Sequence, residues 1–454
     1  MKKLFYVLPL FLGGIFYAQN FKADSTQFKK ISNEILVKGK GYDDLRELTK
    51  NIGNRLCGSA NYEKATQWAM QKLKDAGADK VWFQPVMVKV WTRGAESLKI
   101  KTGNGKWENV KMLSLGNSEG TKGKDLKGEI LVVKTLEEFL KMPDELVKNK
   151  IVFFNYPFNQ EFLTTGQAYG DAGKYRRVTA SEVAKKGGKA VIIRSLTSNF
   201  DDVPHTGSLK YDDGIAKIPA IAIGAETANK LENSLLKKQH IEAILNSNCG
   251  MNGEKLTNSV IGEITGNKDK SVIVVSGHLD SWDVGEGAHD DGAGIVQSIE
   301  VLRTFKNLNI KNNHTIRVVC YANEENGLSG GKTYMENVKK SGEPHIFALE
   351  SDSGGFTPRS FSLGMSDEKA KSMKSWEKLF NPYGIFEFAG NYGGADITPL
   401  RELNVPVSEY VTDSQRYFDI HHTPEDTFEK VNRRELLLGA TVMTQLIYMI
   451  DQNW

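Results

Sequence analysis

The apolar run at residues 271–276, Ser-Val-Ile-Val-Val-Ser, limits the choice of fold more than any other stretch of the chain. Its β-branched residues follow one another without polar alternation, which is typical of a strand covered on both faces, as in a parallel sheet. Several glycines follow, and apolar residues then recur with helical spacing after residue 292. The run therefore predicts a buried strand, a tight loop and a helix.

The same alternation of strand and helix continues to the end of the chain. Such alternation is typical of α/β proteins that have a mostly parallel sheet with helices on both faces. The fold is therefore expected to be mixed α/β with a mostly parallel sheet. We predict strands at residues 315–322, 346–351 and 405–411, and helices at residues 327–340, 396–403 and 434–450.

A chain of 454 residues is too long for one ordinary hydrophobic core. Between residues 112 and 252, short strands alternate with turns rich in glycine and lysine, and we interpret this block as a β-rich domain inserted into the first one. The main domain then comprises residues 19–111 and 253–454. Strands are predicted at 80–91, 129–133, 151–154, 190–193 and 220–223, and helices at 28–38, 42–51, 61–76 and 179–186.

The N-terminus has the pattern of a secretory signal peptide. Two lysines precede an apolar stretch from residue 4 to about residue 17, and Ala18 follows it. The stretch is short for a membrane span, so we predict a signal peptide at residues 1–18, cleaved near Ala18, and a secreted or periplasmic protein. An uncleaved anchor is the alternative interpretation of the same pattern.

The net charge and the cysteine content limit the possible ligands and the possible disulfides. The formal net charge is only +3, and basic residues form no long run, so nucleic-acid binding is not expected. With three cysteines, at least one thiol is free or bridges two molecules. Cys320 lies in a predicted buried strand, whereas pairing of Cys57 with Cys249 is left open by the sequence.

Acidic and imidazole residues follow several predicted strands at the point where each strand ends. The carboxyl ends of parallel strands meet at one edge of a sheet, where ligands bind, so these side chains are expected to lie together. Each cluster taken alone is also ordinary turn or surface chemistry. The residues in this position are His278, Asp290, Glu324, Glu325, Asp352, His421 and His422.

Imidazole and carboxylate groups in this number are the ligands that zinc accepts in proteins. Two neighbouring zinc ions need one bridging carboxylate, and each ion needs its own imidazole and a further carboxylate. Asp280, two residues after His278, is suited to accept the second N–H of that imidazole or to support the site otherwise. The residues that would supply the ligands are His278, Asp290, Glu325, Asp352 and His422.

Four ordered motifs carry a resemblance to a known family. They are GHLDSWDVGEGAHDDGAG, YANEENGLSGG, ESDSGG and HHTPEDT, and VPHTG in the inserted block extends the match over nearly the whole mature chain. The chain resembles the co-catalytic zinc exopeptidases, which include bacterial secreted aminopeptidases and glutamate carboxypeptidases. The resemblance is strongest to the plasma glutamate carboxypeptidase, or carboxypeptidase Q, branch. The insert resembles a protease-associated domain, which typically covers part of the cleft.

The resemblance implies a role for each predicted ligand. Asp290 bridges the two zinc ions, because it occupies the first position of the family's Asp-Asp-Gly. His278 and Asp352 are assigned to different ions. Glu325 lies beside His422, which directly precedes the threonine of the family's His-Thr-x-x-Asp-Thr pattern.

The resemblance also implies the reaction. Glu324 acts as general base for a zinc-bridging hydroxide, which attacks the scissile carbonyl of a small peptide or dipeptide. The activity is of aminopeptidase, dipeptidase or carboxypeptidase type, and the enzyme is expected to be a homodimer. Zinc, cobalt and manganese all suit the ligands. The alternatives are a glutaminyl cyclase-like enzyme with one zinc ion and a non-catalytic receptor or binding module on the same fold.

Four further residues are candidates for contacts with substrate. His421 neighbours a predicted ligand, and His205 lies in the VPHTG loop of the insert. Asp396 or Arg416 is a candidate to meet one terminus of the peptide, although a structural ion pair is the alternative for each. The sequence assigns no role to His289 and does not show which terminus is read.

Overall fold

A computed structural model describes the backbone from residue 9 to residue 454 and the side chains from residue 22 onward. Of the predicted signal peptide, residues 1–8 lie outside the described residues, and only the backbone is described for residues 9–18. Within the described part, no helix combines the length and the apolar character that crossing a membrane requires.

The described residues form sixteen strands in two sheets of eight. The strands are β1 (Lys80–Thr92), β2 (Glu96–Thr102), β3 (Glu108–Val110), β4 (Met112–Ser114), β5 (Leu126–Val133), β6 (Ile151–Phe154), β7 (Ala190–Arg194), β8 (Ala220–Ile223), β9 (Ile241–Ser247), β10 (Gly250–Ile264), β11 (Val272–His278), β12 (Thr315–Tyr321), β13 (His345–Ser351), β14 (Pro358–Phe361), β15 (Glu387–Phe388) and β16 (Val407–Thr412).

Fifteen α-helices lie within the same described residues. They are α1 (Pro9–Lys38), α2 (Gly41–Glu47), α3 (Ala60–Asp75), α4 (Leu136–Lys141), α5 (Asp144–Val147), α6 (Thr165–Arg177), α7 (Thr179–Lys185), α8 (Ala225–Leu236), α9 (Ala293–Asn307), α10 (Glu324–Gly327), α11 (Ser329–Ser341), α12 (Asp367–Lys374), α13 (Glu377–Phe380), α14 (Tyr417–Ile420) and α15 (Arg433–Asn453).

The main sheet has the strand order β1-β10-β12-β11-β13-β16-β14-β15. Its four central strands, β12, β11, β13 and β16, run parallel, and antiparallel pairs flank them on both sides. This arrangement confirms the predicted mixed, mostly parallel α/β fold.

Strand β11 shows why a continuous apolar run belongs at the centre of such a sheet. Ile273 and Val275 pack into the core cluster that contains residues of helices α9 and α15. Val272 and Val274 point to the other face, into a separate apolar cluster with α11 residues. Because both faces are covered, the strand needs apolar side chains at successive positions.

The second sheet has the order β3-β2-β9-β5-β6-β7-β8-β4, and β5 to β8 run parallel. Apolar clusters of its own cover its two faces. Its strands lie between residues 96 and 247, so two of them precede the predicted start of the insert at residue 112. The boundaries of the inserted domain stay a prediction.

One predicted helix differs in type. Residues 396–403 were expected to be α-helical, but only Thr398–Leu403 is regular, and it is a 3₁₀ helix. The stretch is six residues long with proline at its start, so few α-type hydrogen bonds are available to it.

Candidate active site

The predicted ligands meet at the carboxyl edge of the main sheet. His278 ends β11, and Asp352 directly follows β13, the neighbouring parallel strand. Glu325 lies in α10, just after β12, on the other side of β11. Asp290 comes from the loop before α9, and His422 from the loop after α14. The adjacency of β12, β11 and β13 is what gathers residues that are far apart in sequence.

Asp290 lies at the centre of two groups of side chains. Its Oδ1 is 3.1 Å from His278 Nε2, and its Oδ2 is 3.2 Å from His422 Nε2. On the first side, Asp352 Oδ1 lies 3.4 Å from His278 Nε2. On the second side, Glu325 Oε2 lies 3.3 Å from His422 Nε2. Each group therefore has one imidazole, one carboxylate of its own and one oxygen of Asp290.

This grouping corrects one expectation. His278 and Asp352 were assigned to different ions, but they share a group with Asp290. The physical reason is the pairing of β11 with β13, which brings the residues at the ends of these two strands together.

The donor atoms fit metal ligands better than they fit hydrogen bonds. His278 Nε2 and Asp290 Oδ2 are buried, and neither has a hydrogen-bond partner among the described residues. His278 Nδ1 lies 3.0 Å from the carbonyl oxygen of Asp280, which fixes the N–H there and leaves Nε2 as an acceptor. Ligands about 2 Å from a tetrahedral ion lie roughly 3.3 Å apart, as these atoms do. Both groups can therefore hold a metal ion.

Asp280 contacts the site through both its main chain and its carboxylate. Its main-chain carbonyl, not its carboxylate, faces the imidazole N–H, and the carboxylate Oδ1 is 3.9 Å from His278 Nδ1. The carboxylate instead accepts hydrogen bonds from the backbone N–H groups of Glu324 at 3.1 Å and Glu325 at 3.3 Å. Asp280 thus holds the start of α10, which carries both glutamates.

Glu324 faces the cleft beside the two groups. Burial raises its pKa to about 8, and the carboxylates of Asp352, Asp280 and Asp290 add to the shift. A carboxyl group with a pKa near neutrality is suited to accept and return a proton. The role of general base stays a prediction, and the place of Glu324 in the cleft lining is consistent with it.

Two supporting residues hold the Asp290 loop from behind. The Asp426 carboxylate accepts hydrogen bonds from the backbone N–H groups of His289 at 2.8 Å and Asp290 at 3.1 Å. Burial raises the pKa of Asp426 to about 7. This contact gives a reason for the aspartate in HHTPEDT, although the motif alone did not reveal it.

Arg55 is a supporting residue that sequence analysis missed. It is fully buried, and it donates to the carbonyl oxygens of Leu279 at 2.6 Å, Glu286 at 2.8 Å and Gly287 at 2.9 Å. These bonds fix the loop between His278 and Asp290. No local signal marks such an arginine, because its partners lie more than 200 residues away.

His289 has a structural place. Its ring stacks on Phe356, with centroids 4.3 Å apart, and its Nδ1 accepts a hydrogen bond from the backbone N–H of Gly355 at 3.1 Å. Burial lowers the pKa of His289 to about 4, so the ring is neutral. The imidazole thus packs and accepts a hydrogen bond beside the site.

The VPHTG loop of the second sheet closes on the two consecutive histidines. His205 is buried behind His421, and its Nδ1 lies 2.9 Å from the His421 carbonyl oxygen. Thr206 donates its N–H to the His422 carbonyl at 3.0 Å, and its own carbonyl lies 3.3 Å from His422 Nδ1. The structure therefore places His205 behind the site rather than on the cleft wall.

Of the remaining candidates for contact with substrate, one lines the cleft and two make structural contacts. His421 lines the cleft, and its Nε2 lies 3.5 Å from Asp290 Oδ2. Asp396 is buried below the edge and accepts a hydrogen bond from the Gly331 N–H at 3.2 Å. Arg416 is exposed and pairs with Glu435 at 3.3 Å. The alternative of a structural ion pair thus describes Arg416.

All three cysteines, Cys57, Cys249 and Cys320, are buried free thiols. The pairing of Cys57 with Cys249 that the sequence left open is therefore absent from the structure.

A cleft of about 1200 Å³ opens above the two groups. The main sheet contributes one wall, and residues of the second sheet and its helix α6 contribute the other. Side chains that line it include Asn117, Tyr169, Arg176, Arg359, Tyr392, Glu409 and Tyr417. The candidate site therefore lies where the two sheets face each other.

Comparisons with known proteins identify relatives of this chain. Residues 259–447 match the model described as peptidase family M28. Carboxypeptidase Q from Homo sapiens is 33% identical over 417 residues, which cover 91% of this chain and 86% of that protein. A crystal structure of a peptidase M28 precursor from Shewanella amazonensis is 31% identical, with a TM-score of 0.90 and coverage of 96% and 98%. A zinc aminopeptidase from Bacillus subtilis is 20% identical, with a TM-score of 0.63 and coverage of 90% and 94%.

These relatives confirm the predicted exopeptidase resemblance and the predicted enzyme class. Identity above 30% extends over most of both chains, in sequence and in structure alike. The chain is therefore a peptidase and belongs to peptidase family M28.

Proposed function

We propose that this chain is an exported exopeptidase that binds two zinc ions and hydrolyses small peptides, with free dipeptides as the main substrates. The observation that carries the proposal is the position of Asp290, which offers one oxygen to each of two separate imidazole–carboxylate groups. A single carboxylate shared in this way is what a two-metal hydrolytic site requires. The names of relatives, a carboxypeptidase and a zinc aminopeptidase, support the class.

Each proposed ion has its own ligands. His278, Asp352 and Oδ1 of Asp290 would hold one ion, and His422, Glu325 and Oδ2 of Asp290 would hold the other. Zinc bound there supplies Lewis acidity, which makes water a nucleophile near neutral pH and polarises the peptide carbonyl. Imidazole and carboxylate ligands are consistent with this choice of metal.

Side chains of the protein would carry out the proton transfer. Glu324 takes the proton from the attacking water and hands it to the leaving amine. Asp280 keeps Glu324 in position, because its carboxylate accepts a hydrogen bond from the backbone N–H of Glu324. Asp426 does the same for the Asp290 backbone. The base and the shared carboxylate are thus both held by buried carboxylates.

The test is hydrolysis of unblocked, N-blocked and C-blocked dipeptides by the mature protein, with metal content measured on the same sample. We expect about two zinc ions per chain. Replacing Glu324→Gln should abolish turnover and leave the metal bound, since the base is not a ligand. If the zinc-reconstituted protein holds no metal, or if the folded wild type cleaves nothing in the panel, the proposal fails.

Export belongs to the same proposal. The basic start, the short apolar stretch and Ala18 support removal of residues 1–18 during secretion. N-terminal sequencing of the protein recovered outside the cytoplasm should begin near residue 19, whereas an intact Met1 would contradict cleavage. The expected homodimer and the protease-associated character of the insert stay predictions.

A further inference from the structure

Glu409 is a carboxylate of the cleft wall that forms no ion pair with any residue the structure describes. Of the carboxylates that line the cleft, four belong to the two proposed metal groups and their base. Asp413 pairs with Arg359 at 2.7 Å. Glu387 and Glu409 remain, and neither has a cationic partner among the described residues. Their negative charges are therefore available to a ligand in the cleft.

The Glu409 carboxylate has a fixed position beside one of the metal groups. Glu409 lies on β16, which pairs with β13, the strand that leads into Asp352. The hydroxyl of Ser353, the residue after Asp352, donates to Glu409 Oε1 at 2.8 Å. The backbone N–H of Glu409 donates to Ser362 Oγ at 2.7 Å. Among the described residues, none donates a hydrogen bond to Oε2, so this oxygen can accept one from a ligand.

Two exposed aromatic residues flank β15 at the same edge of the main sheet. Tyr392 is 43% exposed and Phe386 is 59% exposed, and both line the cleft with Glu409. Ser362 donates to the Tyr392 carbonyl at 2.7 Å, so it ties Tyr392 to the Glu409 backbone. Burial, followed by the charges of Glu409 and Glu387, raises the pKa of Tyr392 to about 12. This end of the cleft thus combines negative charge with aromatic surface.

The opposite wall of the cleft does not neutralise this end. Arg176 and Lys210 are the cationic residues that the second sheet's side contributes to the lining. Arg176 Nη1 lies 3.5 Å from His422 Nδ1, and His422 belongs to the metal group that does not contain Asp352. In the described part of the chain, neither cation forms an ion pair with Glu409. The charge of Glu409 therefore needs a partner from outside the chain.

We propose that Glu409 binds a basic side chain of the substrate, so that the enzyme prefers dipeptides that contain lysine or arginine. This proposal rests on the exopeptidase function above. A carboxylate oxygen accepts a strong, charge-assisted hydrogen bond from an ammonium or guanidinium group. Aromatic faces attract the same cations, and the methylene stem of a lysine or arginine packs on apolar surface. Glu409, Tyr392 and Phe386 supply both kinds of contact.

A side chain fits this position better than the free α-amine does. The α-amine is attached to the carbon next to the carbonyl that is cleaved, so it has to stay beside the metal groups around Asp290. Glu409 shares no hydrogen bond with the predicted ligands in the described structure, and Ser353 joins it to the segment that carries Asp352. A long basic side chain can reach from the metal groups to Glu409, whereas the amine cannot leave them.

Matched dipeptides isolate the contribution of the ammonium group. Norleucine has the methylene chain of lysine without its charge, so Lys-Ala is compared with Nle-Ala, and Ala-Lys with Ala-Nle. Burial raises the pKa of Glu409 to about 7, so the comparison is made at about pH 8, where the carboxylate is ionised. Isothermal titration of the zinc-loaded Glu324→Gln protein should favour the lysine member of at least one pair on the order of 10–100-fold.

Two variants locate the source of the preference. Adding Glu409→Gln should remove the preference, because the amide keeps an acceptor for Ser353 and loses the charge. Adding Glu387→Gln, which changes an exposed carboxylate of the same lining, should keep most of it, because solvent screens exposed charges. Zinc content should be the same in all these proteins.

The proposal is overturned if the lysine and norleucine members of both pairs bind equally to the Glu324→Gln protein. It is also overturned if Glu409→Gln weakens both members to the same extent, since Glu409 would then serve the α-amine or the fold. An equal loss of preference in Glu387→Gln would assign the effect to the general charge of the cleft and would overturn it as well. A failure of the hydrolysis panel with the lysine preference intact would overturn the exopeptidase function alone.

Discussion

At the scale of single residues, the charge around the site depends on which histidines stay uncharged. His205 is the clearest case, because burial lowers its pKa to about 3. A neutral ring donates from Nδ1 to the His421 carbonyl and adds no charge behind the two consecutive histidines. His289 is held neutral by burial in the same way. The sequence made His205 a candidate for contact with substrate and gave His289 no role, because a loop histidine gives no sign of whether it faces solvent or core.

The titration of His205 predicts an acid-sensitive contribution to stability. The folded protein takes up this proton only near pH 3, whereas the unfolded chain takes it up near 6.5. Between these values the unfolded state holds more protons, so stability present above pH 6.5 is lost as the pH falls. His205→Asn keeps a donor and should reduce the slope of unfolding free energy by up to about 1.4 kcal/mol per pH unit.

Denaturant unfolding of metal-free protein at several pH values between 4 and 7 measures that slope. His240→Asn is the matched control, because His240 directly precedes β9 of the second sheet and has about half of its side chain exposed. Equal slopes in wild type and His205→Asn would contradict the burial argument.

At the scale of elements, the central strands were predictable and the elements that close the cleft were not. Strand β11 is continuous in apolar residues, so its burial on two faces is visible in the sequence. Helix α6 has three glycines and many polar residues, and its stability comes from tertiary packing rather than from its own propensity. Strand β10 begins with polar residues and was missed for a similar reason.

The junction between α6 and the VPHTG loop depends on one glycine. Gly207 has a φ of +128°, and a Cβ there would lie 2.7 Å from His422 Nδ1 and would also meet Arg176 Nη1. Gly207→Ala should displace His422, and zinc affinity should fall roughly 10–100-fold, as when support of a ligand is lost. Chelator competition measures the affinity.

Gly170→Ala is the control for Gly207→Ala. Gly170 lies in α6, and nothing occupies the space around its missing Cβ, so alanine there should leave zinc affinity unchanged and favour the helix slightly. Unchanged zinc affinity in Gly207→Ala would show that the loop does not support His422.

At the scale of the whole molecule, the two sheets are tied together next to the site. Arg93 follows β1 and binds both carboxylate oxygens of Asp283, at 2.9 Å and 2.7 Å, in the loop that carries the ligands. It also donates to the Ser114 carbonyl of the second sheet at 2.6 Å. The sequence predicted two cores, but their relative placement depends on such contacts between distant segments, which no local pattern encodes.

Removing this tie should weaken the molecule as a whole. Arg93→Met leaves the Asp283 carboxylate without its partner in a mostly buried place and removes one donor from the Ser114 carbonyl, which still accepts from the Thr206 hydroxyl at 2.8 Å. Unfolding should therefore cost about 3 kcal/mol less. Lys89→Met, on the exposed side of β1, should change stability by less than about 0.5 kcal/mol. Denaturant unfolding of both variants tests this prediction. If Arg93 makes only a surface contact, the two variants should have the same free energy of unfolding.

The ligand set was predictable because strand ends of a parallel sheet converge, and the four motifs mark those ends. The grouping of His278 with Asp352 was not predictable, because it depends on which strands are neighbours. Arg55 was missed altogether, since its role is defined by three backbone carbonyls and not by any motif.

The most direct test of the central claim is anomalous diffraction at the zinc absorption edge from crystals of the zinc-loaded protein. We predict two peaks, one between His278 and Asp352 and one between His422 and Glu325, with Asp290 between the two peaks. Their separation should be about 3.5–4 Å. A single peak, or peaks away from Asp290, would contradict the two-ion account.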